Sequence, residues 1–99
     1  MTRRLVVRPQ AELDIAEIID WYDSKRLGLG TKFFASFTSV LTRVLTNPAQ
    51  YQVVDSQIRA VRIKSFPYKV LYASTDEEVA VIGCFHAHRD PNTWRTRLD

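Results

Sequence analysis

The apolar residues in the first half of the chain recur with the period of an α-helix. One stripe runs along residues 11–26, its apolar members three or four positions apart: Ile15, Ile18, Ile19 and Tyr22. A second stripe lies between Thr31, a residue suited to cap a helix, and the Asn47-Pro48 pair that ends it: Phe33, Phe37, Val40, Leu41, Val44 and Leu45. Gly28 and Gly30 separate the stripes, and glycine readily takes the positive φ of a tight turn. The pattern therefore predicts an antiparallel helical hairpin, with Trp21 and Tyr22 packed inside it.

Elsewhere the pattern has the two-residue period of half-buried β-strands. A short apolar run over residues 4–8 ends at Pro9, which cannot donate to a β-ladder. After a loop through Tyr51, three further strands are predicted, over residues 59–64, 68–73 and 79–88, and residues 92–98 read as a short terminal helix or turn. The order β-α-α-β-β-β predicts an α+β fold in which a helical hairpin packs on a largely antiparallel sheet.

The composition is that of one ordinary globular domain. The chain has 99 residues, of which 45% are hydrophobic and 25% charged, so we expect a single domain over residues 1–99 with one modest core. The longest apolar run, Val79 to Phe85, is far below the roughly 20 residues that span a membrane. The N-terminus lacks the apolar core of a signal peptide, and Cys84 is the one cysteine. These features predict a cytoplasmic protein with no membrane contact and no internal disulfide.

The charged residues are distributed unevenly. The net charge is +3, yet the charged residues of segment 11–23 are all acidic and those of segment 57–73 are all basic. A basic face suits an acidic protein or a nucleic acid. A net charge this small does not by itself favour tight non-specific binding to nucleic acid.

The last predicted strand brings possible metal ligands together. Alternation along it predicts that Ile82, Cys84, His86 and His88 share one face, and that Val81, Gly83, Phe85, Ala87 and Arg89 share the other. A thiolate with two imidazoles suits zinc. A buried cysteine, however, commonly acts as a small apolar residue, and the sequence offers no second cluster for a fourth ligand. We therefore predict no metal and no other cofactor.

The same region holds the groups that RNA cleavage requires. Attack of a ribose 2′-hydroxyl on its phosphate needs a base, an acid and cations near the phosphate oxygens. His86 or His88 could move the proton, Tyr68 could stack or act as the acid, and the candidate cations are Arg59, Arg62, Lys64 and Arg89. The alternative for Arg62 and Lys64 is the solvent face of a half-buried strand.

The segment after this strand has features that end it. Asp90 favours a turn, and Pro91 cannot continue the ladder. Trp94 then either covers the sheet or serves as an interface anchor, and we favour the covering role. Together with His86, His88, Arg89 and Arg95, it belongs to a rim that extends to Arg97.

Motifs along nearly the whole chain resemble those of the RelE/ParE superfamily, the toxins of bacterial toxin–antitoxin modules. Their order and spacing carry the resemblance, no single motif being decisive: Ala11-Glu12-x-Asp14-Ile15-x-x-Ile18, Gly28-x-Gly30 before Phe33-Phe34, Asn47-Pro48, Arg62-Ile63-x-x-Phe66-Pro67-Tyr68-x-Val70-x-Tyr72 and His86-x-His88-Arg89-Asp90-Pro91-x-x-Trp94.

The resemblance implies a growth inhibitor that is neutralised by an acidic cognate antitoxin, in a toxin–antitoxin hetero-oligomer. RelE-like members are ribosome-dependent mRNA endonucleases, often with a C-terminal tyrosine, and ParE-like members are DNA gyrase inhibitors. No tyrosine follows Tyr72 and the net charge is low, so we expect the ParE-like activity, non-enzymatic and exerted by binding. The expected contact residues are Arg62, Lys64, His86, His88, Arg89, Trp94 and Arg95.

The alternative that the resemblance leaves open is a metal-independent, RelE-like endonuclease acting on ribosome-bound mRNA. Its candidate catalytic residues are His86, His88, Arg59, Arg62, Lys64 and Arg89. Many such toxins carry arginine where this chain has His88. Because histidine titrates near neutrality, a phosphate or carboxylate contact there would depend on pH.

Overall fold

Two α-helices pack on one face of a five-stranded sheet, which confirms the predicted α+β fold. The computed structural model describes residues 3–89 and 94–98, without the side chain of Leu98. The helices are α1 (Pro9–Lys25) and α2 (Leu29–Thr46), and the strands are β1 (Arg4–Val7), β2 (Gln52–Asp55), β3 (Ile58–Arg62), β4 (Tyr68–Ser74) and β5 (Glu78–His86). Short 3-10 turns lie at Pro48–Gln50 and Thr96–Leu98. Neither described helix is long and apolar enough to cross a membrane.

The strands are arranged in the order β1-β5-β4-β3-β2, so β5 lies inside the sheet. The β1 and β5 strands run parallel, and the other neighbouring pairs are antiparallel. The predicted order did not include the β2 strand. Its four residues lie between the predicted loop through Tyr51 and the strand predicted at residues 59–64. A turn at Ser56, whose φ is 50°, joins it to β3.

The main core lies between the helices and the sheet. Both predicted helical stripes face it, and Phe33, Val40 and Val44 are fully buried. Burying one such side chain contributes roughly 1.5–3 kcal/mol, so the two stripes hold the hairpin against the sheet. Tyr22, Phe33, Phe66 and Tyr68 form a cluster of ring contacts at one end of this core. Trp21, predicted to pack in the hairpin beside Tyr22, is instead exposed.

The connection between the helices differs from the prediction in two details. Gly28 has the expected positive φ of 92°, but Gly30 does not and lies within α2. A Cβ at Gly30 would lie 2.6 Å from the Ile19 carbonyl oxygen, so close helix packing is what requires glycine there. Thr31 is not the cap, because α2 begins at Leu29, and the Asp23 carboxylate accepts the Gly30 N–H at 2.8 Å.

The last strand contains a bulge that alternation could not predict. Leu71 pairs with Gly83 and Tyr72 with Val81, so Ile82 is the extra residue. As a result Val81 and Cys84 both face the helices, whereas the prediction placed them on opposite faces. The strand also ends at His86 rather than His88, because Ala87 and His88 lie in a turn. The predicted turn at Asp90-Pro91 and the start of the predicted terminal element lie outside the described residues.

Candidate functional site

The predicted basic residues gather at one end of the sheet, which we call the basic end. The β3 strand ends there, β4 begins there and β5 ends there, because neighbouring strands are antiparallel. Arg62 lies opposite Lys69, and Lys69 lies opposite Phe85, so these three side chains share a face. The Ile63 N–H donates to the Tyr68 carbonyl at 2.9 Å, which leaves the exposed Lys64 just beyond the pairing.

Lys69 is a basic residue of this end that was not selected from the sequence. It is half-buried in a small groove of about 130 Å³ on the sheet face away from the helices. Leu71, Phe85 and Trp94 form the apolar part of the groove, and Arg89 and Arg95 lie at its margin. Lys69 is placed beside the other basic residues by its pairing opposite Arg62. That pairing is known only from the register of the strands, so the sequence alone could not identify it.

Arg59 is separated from the other predicted cations by its hydrogen bonds. Its guanidinium donates to the carbonyl oxygens of Ala49 at 3.2 Å and of Tyr51 at 2.6 Å. These bonds hold the segment between α2 and β2 against β3. Arg59 therefore has a structural role, and its inclusion among the cations available to a substrate stays a prediction.

Trp94 is buried, with 8% of its surface exposed, against Leu71 and Phe85. This position agrees with the covering role, and the inclusion of Trp94 among the contact residues stays a prediction. Arg95 lies over the Trp94 ring at 5.6 Å and pairs with Asp55 at 3.3 Å. The guanidinium remains half exposed, so Arg95 lies at the surface while also tying the C-terminal segment to β2.

His86 is exposed, and its ring orientation is fixed by neighbouring groups. The Nδ1 atom accepts the backbone N–H of His88 at 3.2 Å, and the ring centre lies 5.4 Å from that of Tyr68 and 5.6 Å from that of His88. A neutral imidazole that accepts at Nδ1 carries its proton on Nε2. Nε2 is thus the nitrogen that can donate to a partner.

Tyr68 stays a neutral phenol near physiological pH. Burial raises the pKa of Tyr68, the nearby Cys84 raises it further, and the positive charge of Arg89 opposes them. Tyr68 can therefore donate a hydrogen bond or present its ring, but it is poorly suited to act as a base.

A larger groove, of about 630 Å³, lies between α1 and the part of β5 that β1 does not cover. We call it the α1–β5 groove. Its α1 wall carries Leu13, Glu17 and Trp21, and its other wall carries Tyr68, His86 and Arg89. Leu13 and Trp21 were not selected from the sequence, although Leu13 stands outside the buried stripe of α1 as an unexplained apolar residue.

A bridge between Asp14 and Arg97 closes one end of this groove. Arg97 Nη1 lies 2.6 Å from Asp14 Oδ2, and the same carboxylate oxygen accepts the Cys84 N–H at 3.0 Å. The Arg97 guanidinium also lies 4.7 Å from the Phe85 ring centre. Gly83 makes room for it, since a Cβ there would lie 2.9 Å from Arg97 Nη1. A glycine inside an apolar strand often marks a place where another group approaches the backbone closely, so Gly83 was the one feature of the sequence that could have indicated the position of the guanidinium.

Cys84 lies in the core beside the groove and stays a neutral thiol. Burial raises the pKa of the Cys84 thiol well above its usual range, and the Asp14 carboxylate raises it further. Within residues 3–89 and 94–98, no three His, Cys, Asp or Glu side chains lie close enough together to bind a metal.

The proposed catalytic set does not assemble around one point in the described part of the chain. Arg59 is bound to the segment after α2, and Arg62 lies on the face away from the helices. His86 and Arg89 line both the α1–β5 groove and the small groove that contains Lys69. Arg89 is exposed near His86, and His88 follows the strand in a turn. This arrangement offers surface cations and one oriented imidazole for contact with a partner.

A third groove, about 400 Å³ in volume, lies on the other side of α1 and is almost entirely apolar. We call it the apolar groove. It is bounded by β1, α1 and α2, and its main lining residues are Leu5, Val7, Ile15, Ala16, Ile19, Phe34, Phe37 and Leu41. Phe34 is 47% exposed there. The β1 strand, which forms its margin, is an edge of the sheet.

Comparison with known proteins gives one pair of curated relatives and several solved structures. No protein-family profile matches the chain. The sequence is 27% identical over 93 residues to Toxin ParE2 of two Mycobacterium tuberculosis strains, covering 93% of this chain and 89% of the relative.

The structural neighbours share the fold at low sequence identity. The chromosomal ParDE toxin–antitoxin system of P. aeruginosa has a TM-score of 0.78 at 12% identity, with 88% of this chain and 98% of that chain covered. A mutant of E. coli toxin RelE in the free state has a TM-score of 0.67 at 19% identity, with coverages of 89% and 86%. The chain is thus similar to Toxin ParE2 over most of its length, and it shares its fold with the ParDE-system and RelE structures.

Proposed function

We propose that this protein is the toxin of a type II toxin–antitoxin system and inhibits growth by binding DNA gyrase. The observation that carries the proposal is its similarity to Toxin ParE2 over 93% of the chain. The ParE-like branch of the superfamily is the one associated with gyrase inhibition.

A binding mode of action is supported by the arrangement of the predicted residues. Arg59 is held by backbone carbonyls, and the strand register places Arg62 opposite Lys69 but His86 opposite Tyr68, one residue out of step. General acid–base catalysis needs both groups within hydrogen-bond reach of one substrate. An inhibitor that binds needs only an exposed complementary surface, and the exposed residues of the basic end provide one: Arg62, Lys64, His86, His88 and Arg89.

We further propose that the apolar groove receives the cognate antitoxin. An amphipathic segment of the antitoxin would bury an apolar face against Phe34 and Phe37, as helices do in hydrophobic grooves. An acidic antitoxin fits the net charge of +3, which would speed its association. The P. aeruginosa protein that shares this fold comes from a ParDE toxin–antitoxin system, which agrees with such a partner. The absence of a frame for an acidic protein beside the gene would contradict this part of the proposal.

Induced expression in a bacterium tests the proposed target in the cell. We expect growth arrest accompanied by relaxation of a reporter plasmid, because gyrase maintains negative supercoiling, with cellular mRNA left intact. Coexpression of the neighbouring acidic protein should restore growth. Growth arrest with a fully supercoiled plasmid and cleaved mRNA would contradict gyrase as the target.

The second candidate is a RelE-like ribosome-dependent endonuclease. It is favoured by the fold shared with E. coli RelE and by the oriented His86 imidazole beside Tyr68 and Arg89. In that case His86→Ala or Arg62→Ala would abolish cleavage of ribosome-bound mRNA. The gyrase proposal instead expects His86→Ala to retain substantial toxicity, because one imidazole at the margin of a binding surface contributes little.

A further inference from the structure

The exposed apolar side chains near α1 fall into two groups on opposite sides of the helix. Leu5 and Phe34 belong to the apolar groove, proposed above for the antitoxin. Leu13 and Trp21 line the α1–β5 groove and are 62% and 53% exposed. Leu13 and Trp21 lie eight residues apart, so they stand on the same side of the helix about two turns from each other. The two groups of exposed apolar side chains therefore belong to two separate grooves that share one helix.

The second wall of the α1–β5 groove contains a strand edge that no strand in the described part of the chain covers. The β1 strand pairs with Glu78–Val81, and Pro9 then begins α1, so no described strand lies beside the rest of β5 on that side. The Ala87 N–H donates toward β4, to Pro67, whereas the Cys84 N–H points the other way, to Asp14. Because backbone groups alternate along a strand, the Cys84 carbonyl and the His86 N–H face the groove. An extended peptide can add to such an edge.

The charges around the groove favour a protein segment over a nucleic acid. Asp14 is neutralised by Arg97, which leaves Glu17 on the α1 wall and Arg89 and His86 at the opposite margin. A phosphate backbone crossing from Arg89 toward Trp21 would meet the Glu17 carboxylate. A peptide can instead direct one acidic side chain to Arg89 and an apolar side chain to Leu13 and Trp21.

We propose that the α1–β5 groove is where this toxin engages its target protein. An extended segment of the target pairs with the backbone of β5 at Cys84 and His86. Its apolar side chain packs on Leu13 and Trp21, and its acidic side chain reaches Arg89. This inference rests on the proposed function in one respect, that the chain is a toxin that acts by binding a protein. It adds that the target and the antitoxin occupy opposite sides of α1.

The test uses one substitution in each surface and one matched control. Trp21→Ser alters the α1–β5 groove, and Phe34→Ser alters the apolar groove. Leu27→Ser is the control, since Leu27 is 91% exposed at the end of the same hairpin and lines neither groove. All three positions are exposed, so thermal melting should show that the variants fold like the unmodified protein. The readouts are growth arrest on induction, affinity for purified gyrase, and copurification with the coexpressed antitoxin.

Trp21→Ser should weaken growth arrest and raise the Kd for gyrase about tenfold or more, as truncation of an aromatic anchor does at a protein interface. It should leave antitoxin copurification unchanged. Phe34→Ser should give the reverse result, with antitoxin copurification reduced and growth arrest retained. Leu27→Ser should match the unmodified protein in all three readouts.

Several outcomes would overturn the inference. One is growth arrest by Trp21→Ser as strong as that by Leu27→Ser. Another is a loss of antitoxin copurification in Trp21→Ser as large as its loss of growth arrest. Binding of single-stranded RNA that Trp21→Ser abolishes would contradict a protein occupant. If growth arrest depends on Trp21 while the unmodified protein does not bind gyrase, the groove is upheld and gyrase is rejected as the target.

Discussion

Gly30 shows how one residue can be required for a reason that its sequence context does not reveal. Its position after Gly28 suggested a turn conformation, but its backbone is helical and lies against α1. The need for glycine comes from the distance between two helix backbones. That distance is a property of the folded hairpin, so a sequence pattern could identify the residue but not its role.

Gly30→Ala should destabilise the protein by about 2 kcal/mol, the usual cost of forcing extra volume into a packed region. The added Cβ would meet the Ile19 carbonyl oxygen at 2.6 Å and Asp23 Oδ1 at 2.8 Å, and the first of these is backbone. Urea denaturation measures the change in the free energy of unfolding. Thr31→Ala is the control, because this exposed neighbour should change the stability by less than about 0.5 kcal/mol. Equal stability of the two variants would contradict close helix packing at Gly30.

The buried hydroxyl of Tyr72 makes the stability of the fold depend on pH in the alkaline range. Its hydroxyl donates to the Pro48 carbonyl at 2.5 Å, and burial raises the pKa of Tyr72 to about 12. An unfolded tyrosine ionises near pH 10. Between about pH 10 and pH 12 the unfolded state therefore releases a proton that the folded state keeps. The stability is fully present below pH 10 and is lost as the pH rises through this interval.

Tyr72→Phe should lower the free energy of unfolding at pH 7 by about 1 kcal/mol, because the Pro48 carbonyl loses its donor. It should also make the fall in stability between pH 10 and pH 12 shallower than in the unmodified protein. Urea denaturation over this pH range checks both expectations. Parallel curves for the two proteins would show that Tyr72 does not contribute to the alkaline loss.

At the scale of elements, the period of apolar residues was sufficient for both helices and for three of the strands that follow them. It failed at β2, where four residues pair with β3 only through a turn at Ser56. It also failed at the bulge in β5, because the extra residue Ile82 is defined by the register with β4. The bulge places Val81 and Cys84 on the same face, toward the helices. The pattern of residues within β5 alone could not predict this, because it depends on the pairing with β4.

The Asp14–Arg97 bridge joins three elements that are distant in sequence. Asp14 belongs to α1, its carboxylate accepts the Cys84 N–H of β5, and Arg97 comes from the C-terminal segment. Both side chains are mostly buried. A sequence shows the three residues but not their convergence, which depends on Gly83 leaving space for the guanidinium.

Asp14→Ala should lower the free energy of unfolding by about 3 kcal/mol, since it leaves a buried N–H and a largely buried guanidinium unpaired. Asp14→Asn should cost less, because its amide oxygen still accepts the Cys84 N–H. Chemical denaturation gives both values. Equal destabilisation by the two substitutions would argue against the contribution of the Cys84 hydrogen bond.

For the whole molecule, the predicted fold class agrees with the observed architecture, and the predicted resemblance to RelE/ParE toxins agrees with the similarity to Toxin ParE2 and with the shared fold. The candidate site was predictable only in part. The sequence pointed to His86, Arg62 and Lys64 because they are basic or imidazole side chains at strand ends. It could not point to Lys69, Leu13 and Trp21, because their positions beside the candidate grooves depend on strand pairing and on the packing of α1.

The charge distribution gives the molecule two distinct sides. Acidic residues lie along α1, and basic residues lie at the end of the sheet where β3 and β5 end and β4 begins. The apolar groove and the α1–β5 groove lie on either side of α1, so the helix separates the proposed antitoxin surface from the proposed target surface. In the proposed arrangement, the antitoxin and the target would therefore bind different surfaces of the protein.

Inhibition by binding gyrase is tested most sharply by a side-by-side assay of one purified preparation. Increasing amounts of the protein are added to gyrase with relaxed plasmid, and to ribosomes that carry mRNA. We expect supercoiling to stop as the protein approaches saturation of gyrase, and the ribosome-bound mRNA to stay intact. Cleaved mRNA together with undiminished supercoiling would contradict gyrase inhibition.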